Sequence, residues 1–66
     1  MQITINGKKE TFNSTETLLE LIQRKSLNKD KIVVELNLKI IPQENLERAL
    51  IKAGDSIEIV SFVTGG

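Results

Sequence analysis

Met1-Gln2-Ile3-Thr4-Ile5-Asn6-Gly7-Lys8-Lys9-Glu10-Thr11-Phe12, followed after a short break by Thr17-Leu18-Leu19-Glu20-Leu21-Ile22, changes its apolar spacing from two residues to three and four. Met1, Ile3 and Ile5 alternate with Gln2 and Thr4, the pattern of a strand with one buried face. Asn6-Gly7-Lys8-Lys9 is a turn signal in which Gly7 is free to take positive φ. Glu10-Thr11-Phe12 returns as a second strand. With either Asn6-Gly7 or Gly7-Lys8 at the centre of the turn, the even-numbered residues of the return strand lie on the side of Ile3 and Ile5. Phe12 then enters the core and Glu10 sits at its rim. Residues 13–16 interrupt the alternation with side chains that favour turns and helix starts. Thr17 and Glu20 match a capping box, hydroxyl and carboxylate each satisfying a backbone N–H. Leu18, Leu21 and Ile22, with Leu19 beside them, recur at helical spacing. Gln23, Arg24 and Lys25 suit the C-terminal end of that helix, and Asn28 is expected to close it in the left-handed region.

Beyond the helix, residues 31–36 are rich in β-branched side chains, and Ile32, Val34 and Leu36 share one face. Asn37-Leu38-Lys39 turns the chain. Ile40-Ile41 forms a short strand that Pro42 ends, having no N–H to give a ladder. Residues 43–48 read as a helical turn or a loop carrying Leu46 inward. Leu50-Ile51 is apolar again, Lys52-Ala53-Gly54-Asp55 is a turn, and residues 56–60 form a last strand with Ile57 and Ile59 on one face. Two strands, a helix and two or three more strands predict an α+β fold, with one mixed sheet of four to five strands wrapped around one helix. Segments 1–5 and 56–60 are the most regular strands and are expected in the middle of the sheet. The chain between them crosses over through the helix, so the pair should be parallel. A ferredoxin-like arrangement would need a second full helix, for which residues 43–48 are too few.

Sixty-six residues suffice for one small domain. A chain of that size buries only about 60% of the surface it exposes when unfolded, which leaves little room for a strained active site of many residues. Cysteine and histidine are both absent. Disulfides, thiol nucleophiles, iron–sulfur clusters and most zinc arrangements are thereby excluded, as is the side chain best suited to proton transfer near neutral pH. Nine basic residues balance nine acidic ones, so no net field draws the chain toward nucleic acid or anionic lipid. With two Phe and no Tyr or Trp, stacking platforms for bases are nearly excluded. Lys8, Lys9, Lys29, Lys31 and Lys39 read as a solvated surface. The alternating, uncharged N-terminus is unlike a signal peptide, and no apolar run approaches the ~20 residues of a membrane helix. The expectation is a soluble cytoplasmic domain with no nucleic-acid or membrane partner, not a self-contained enzyme.

Past Val60 the sequence runs Ser61-Phe62-Val63-Thr64-Gly65-Gly66. At the usual glycine frequency, two terminal glycines arise by chance in about one chain in two hundred. A frayed end is one explanation, but Phe62 and Val63 are odd choices for a segment meant only to be solvated. A terminal carboxylate is ionised at pH 7 and resonance makes it a poor electrophile. Acyl transfer from it needs prior activation, for example by ATP to an acyl-adenylate sheltered from water in a partner's site. Glycines without Cβ atoms can thread a narrow channel, and a flexible tail over about residues 61–66 would take nothing from the fold.

The N-terminal hairpin, the Thr17–Ile22 helix pattern, the Ile41-Pro42 step and Gly54-Asp55-Ser56-Ile57-Glu58-Ile59 ahead of Gly65-Gly66 resemble the ThiS sulfur carriers of thiamin biosynthesis, over the whole length of the chain. The resemblance implies a ubiquitin-like β-grasp fold for residues 1–66 as a single domain. It implies that the Gly66 carboxylate, carried on Gly65, is adenylated by a ubiquitin-activating-like adenylyltransferase of ThiF type, which uses ATP. A sulfur donor such as a cysteine desulfurase would make it a thiocarboxylate, which gives sulfur to a thiazole synthase of ThiG type. The carrier itself would bind no cofactor. Glu35 departs from the expected apolar third strand and should face solvent.

A thiocarboxylate is a better nucleophile than a carboxylate because sulfur is more polarisable, and attachment to a protein delivers it by docking. Val60, Phe62 and Val63 cannot all point inward from a strand of period two. Together with Thr64 they suggest a partner face beside the tail, with Glu58 as a rim charge that guides docking. For Phe62, packing against the protein's own helix is the competing expectation. Alternatives on the same fold are the small subunit of molybdopterin synthase, commonly somewhat longer, and a modifier attached to lysines. An interaction module with an inert tail fits the fold equally well.

Overall fold

The computed structural model describes residues 1–62. Strands β1 (Gln2–Ile5) and β2 (Lys8–Thr11) form an antiparallel hairpin with Ile5 opposite Lys8. Asn6 and Gly7 are therefore the two-residue loop, at φ 49° and 82°, the left-handed pair that the twist of a tight hairpin favours. One further rung extends the hairpin. The Phe12 N–H donates to the Met1 carbonyl (2.7 Å), and the Met1 ammonium donates to the Phe12 carbonyl (2.8 Å). That rung seats Phe12 in the core, one residue past the end of β2. Glu10 lies at the rim, as expected, 2.9 Å from the Lys25 ammonium.

Helix α1 (Leu18–Arg24) starts at Thr17 with the full capping box. The Thr17 hydroxyl accepts from the Glu20 N–H at 3.1 Å, and the Glu20 carboxylate accepts from the Thr17 N–H at 2.8 Å. Its end differs from expectation. Ser26, not Asn28, takes the left-handed conformation, at φ 58°. The Ser26 N–H donates to the Gln23 carbonyl and the Leu27 N–H to the Ile22 carbonyl, each at 3.0 Å, a Schellman closure. Leu27 packs back against the core, and this apolar contact fixes the reversal one residue before it. Asn28 is extended instead, and its side chain accepts from the Asp30 N–H at 2.9 Å to cap the 3-10 turn Lys29–Lys31.

Strands β3 (Ile32–Leu36) and β4 (Lys39–Ile41) make a second hairpin whose loop, Asn37-Leu38, is again left-handed at both residues. Pro42 ends β4, and the 3-10 turn Gln43–Asn45 carries Leu46 into the core. This loop is tied to the helix entry: the Leu18, Leu19 and Ile51 N–H groups donate to the Ala49, Leu46 and Glu16 carbonyls at 2.9–3.0 Å. Of Leu50-Ile51, only Ile51 is buried. Strand β5 (Ser56–Ser61) completes a five-stranded sheet in the order β2-β1-β5-β3-β4. It runs parallel to β1, with Thr4 opposite Ser56 and Ile5 opposite Ile57. It runs antiparallel to β3 from Leu36/Ile57 to Ile32/Ser61. The parallel central pair is as expected. Strand boundaries shift: β1 begins at Gln2, β2 runs Lys8–Thr11 where Glu10–Phe12 was expected, Lys31 belongs to the 3-10 turn and not to β3, Lys39 joins β4, and β5 gains Ser61. Ile3, Ile5, Val34 and Ile57 from the sheet pack on Leu18, Leu21 and Ile22 of α1, with Phe12, Leu46 and Ile51 closing the sides. No helix among the described residues is long and apolar enough to cross a membrane.

Candidate functional site

β5 is the central strand, and Gly65-Gly66 follow its end closely in sequence. Ser61 and Phe62, expected to belong to a flexible tail over about residues 61–66, are held by the sheet. Ser61 pairs with Ile32, and the Phe62 N–H donates to the Lys31 carbonyl at 2.9 Å. The β3 hairpin and the residue before it supply these partners and hold the chain through Phe62. Val63, Thr64, Gly65 and Gly66 lie outside the described residues.

On the face of the sheet away from α1, alternation sets Val33 opposite Val60, then Glu35 opposite Glu58 with Ile40 on the other side of Glu35. Val60 is 55% exposed, Ile40 67%, Val33 37% and Phe62 41%. Phe62 is thus outside the buried core. These four apolar side chains make a strip beside the end of β5. Glu58 is exposed and Glu35 half-buried. Neither carboxylate has an ion-pair partner among the described residues, and directly opposed like charges on neighbouring strands are unfavourable.

Of the predicted site residues, the structure brings Glu58, Val60 and Phe62 onto one exposed surface. Sequence reading missed Val33, Ile40 and the Glu35 carboxylate as members of it. Their alternation against Ile32, Val34 and Ile41 was visible, but only the pairing register shows that they adjoin Val60 and Glu58. It also missed Asn6. The Asn6 side-chain carbonyl accepts from the Ile59 N–H at 2.7 Å, and its amide donates to the Ile59 carbonyl at 3.1 Å.

The described residues form no cluster of three or more potential metal ligands. Arg24 is held above its ordinary pKa, chiefly by its hydrogen bond to the Glu16 carboxylate (2.8 Å), and lies 4.7 Å from the centre of the Phe12 ring. That pair belongs to the α1 side, away from the strip. A five-stranded mixed sheet packed on one helix, with the parallel β1–β5 pair at its centre, is a β-grasp fold.

Residues 2–66 match the ThiS family. The chain belongs to that family. The crystal structure of a thiamine biosynthesis protein (ThiS) from Geobacter metallireducens superposes with a TM-score of 0.85 at 29% identity, covering all of both chains. A thiazole synthase from Paramagnetospirillum magneticum is 33% identical over 66 residues, the whole of this chain but 20% of that protein. The chain therefore spans one fifth of the length of that relative. An uncharacterized protein, ycf40, of Porphyra purpurea is 32% identical over 68 residues and matches over 93% of its length.

Proposed function

We propose that this ThiS-type sulfur carrier works through its Gly66 carboxylate, with Gly65 as the slim approach to it. A carboxylate oxygen of Gly66 attacks the α-phosphorus of ATP in a ThiF-type adenylyltransferase, and pyrophosphate leaves. The terminal sulfur of a persulfide on a donor such as a cysteine desulfurase then attacks the acyl carbon. The new C–S bond replaces the C–O bond to AMP, which departs with the electron pair and leaves an acyl disulfide to the donor cysteine. A thiol attacks the donor's sulfur, the S–S bond breaks, and the thiocarboxylate leaves with the electron pair while the thiol and the donor cysteine end as a disulfide. The thiocarboxylate passes sulfur to a ThiG-type thiazole synthase. The observation that carries this reading is the family match together with a Gly-Gly end that follows the last strand-held residue, Phe62, by four positions. The relative that joins a segment like this one to thiazole synthase supports that acceptor.

Four extended residues reach at most ~14 Å, so the activating centre must come close to the body of the carrier. Val60, Phe62, Val63 and Thr64 are the partner face in this reading, widened by Val33 and Ile40. Burying the strip is favourable at roughly 25 cal/mol per Å² of apolar surface. Glu58 and Glu35 call for a basic partner group, which would relieve their mutual repulsion on docking.

Intact-mass spectrometry after incubation with a ThiF-type enzyme, ATP and a sulfur donor tests the proposal. The expected result is exchange of one oxygen for one sulfur at Gly66. Adducts to lysines of other proteins would instead identify a modifier, and an unchanged mass with competent partners would defeat both.

A further inference from the structure

Strand β5 is held unequally on its two sides. Against β3 it pairs along its length, from Ile57 to Ser61. Against β1 it pairs only at Ser56 and Ile57, because β1 turns away at Asn6. Ile59 would be the next residue to present its N–H and carbonyl on that side, and no strand remains to meet them. The Asn6 side chain fills the gap. Its amide accepts from the Ile59 N–H (2.7 Å) and donates to the Ile59 carbonyl (3.1 Å), while its own backbone N–H donates to the Ile57 carbonyl (2.8 Å). One side chain, 53 positions away in sequence, thus stands in for a rung of sheet at the last point where β5 is held on the β1 side. Asn6 can do this because its φ of 49° turns the backbone out of the ladder, a conformation asparagine tolerates better than most residues.

We infer that Asn6 is a positioning residue, whose amide clamps Ile59 and so fixes the point and direction from which the C-terminal end reaches a partner's active centre. The inference rests on the reading of Gly66 as the reactive group. Without the clamp, residues 60–62 are held only on the β3 side and can peel away from it. The tether beyond the anchored body would then lengthen from four residues to seven. Effective concentration falls as about the −3/2 power of tether length, which gives roughly a twofold loss. Misdirection of the end adds to that, because ångström-scale misplacement can cost up to about a hundredfold. The hydrogen bonds of Asn6 go to Ile57 and Ile59 and to no residue of the outer strip, so docking should be little affected.

The test compares wild type with Asn6→Gly, which keeps the left-handed turn and removes the amide, and Asn6→Asp, which keeps the acceptor and loses the donor. ATP–pyrophosphate exchange by a ThiF-type enzyme is measured against carrier concentration, and amide hydrogen exchange is followed by NMR on the carriers alone. The expected result is a drop in kcat of at least twofold for Asn6→Gly with KM little changed, and a smaller drop for Asn6→Asp. Exchange should quicken at Ile59, Val60 and Phe62 while Val34 and Ile57 keep their protection. Equal kcat for wild type and Asn6→Gly overturns the inference, as does a uniform loss of protection throughout the sheet. If wild type itself is not adenylated, the proposed function fails. The hydrogen-exchange pattern then still decides whether Asn6 holds the end of β5.

Discussion

Asn6-Gly7 and Asn37-Leu38 are the same two-residue turn made with different second residues. All four φ values are positive, at 49°, 82°, 51° and 73°. Glycine accepts the second position without penalty, whereas a left-handed leucine is disfavoured by about 1–2 kcal/mol. Leu38 gains nothing from the core in return, being 90% exposed. Asn37 explains why the turn persists. Its amide donates to Asp55 Oδ1 (3.0 Å), its side-chain oxygen accepts from the Ser56 N–H (2.9 Å), and its backbone N–H donates to the Ser56 carbonyl (2.8 Å). Leu38→Gly should therefore stabilise the protein. Part of the relief is offset by the greater freedom of glycine in the unfolded chain, leaving a gain of about 0.5–1 kcal/mol. For a domain of this size that is a rise in Tm of roughly 2–8 °C in a thermal melt, and a fall in Tm would refute the strain argument. The first turn was legible because Asn-Gly advertises its backbone. The second was legible as a turn, but a left-handed leucine has no sequence signature. The side-chain reach of both asparagines to β5 depends on a register that no local pattern reveals.

Among the elements, α1 shows how much a seven-residue helix depends on its ends. So short a helix is unstable alone, and here the capping box, the Schellman closure and the burial of Leu18, Leu21 and Ile22 combine to hold it. The start was readable because Thr17 and Glu20 stand three apart directly before an apolar run. The end was not, because the choice between Ser26 and Asn28 was decided by Leu27 finding the core. Thr17→Ala removes the hydroxyl that accepts from the Glu20 N–H and should cost about 1 kcal/mol, lowering Tm by roughly 4–8 °C. Glu20→Gln keeps an acceptor for the Thr17 N–H and should cost less than half as much. Equal losses for the two variants would mean that charge, and not the box, stabilises the helix entry. The strands behave likewise. Alternation announced β1 and β5, while the last residues of β5 are ordered by partners from Lys31 and Ile32, far away in the chain.

At the scale of the whole molecule, the proposed function divides the work between body and end, and two variants can separate their contributions. The core is closed by residues up to Ile57, with Ile59 packed at its edge. Deleting Gly65 and Gly66 removes no core side chain and should leave stability within about 0.5 kcal/mol, the range of surface changes, while abolishing the gain of sulfur. A large fall in Tm would instead make the end a structural part. Val60→Ser acts on the other component. Val60 is already more than half exposed, so its replacement should barely change Tm. If the strip is the docking face, the loss of about 1 kcal/mol of apolar burial in the complex should raise KM for the activating enzyme about fivefold with kcat unchanged. A change in kcat instead of KM would place Val60 with the positioning of the end and not with docking. The two components were unequally legible. Gly65-Gly66 stands out in any reading of the sequence. The exposed strip joins residues of β3, β4 and β5 that only the sheet order brings side by side, so folding had to assemble it before it could be seen.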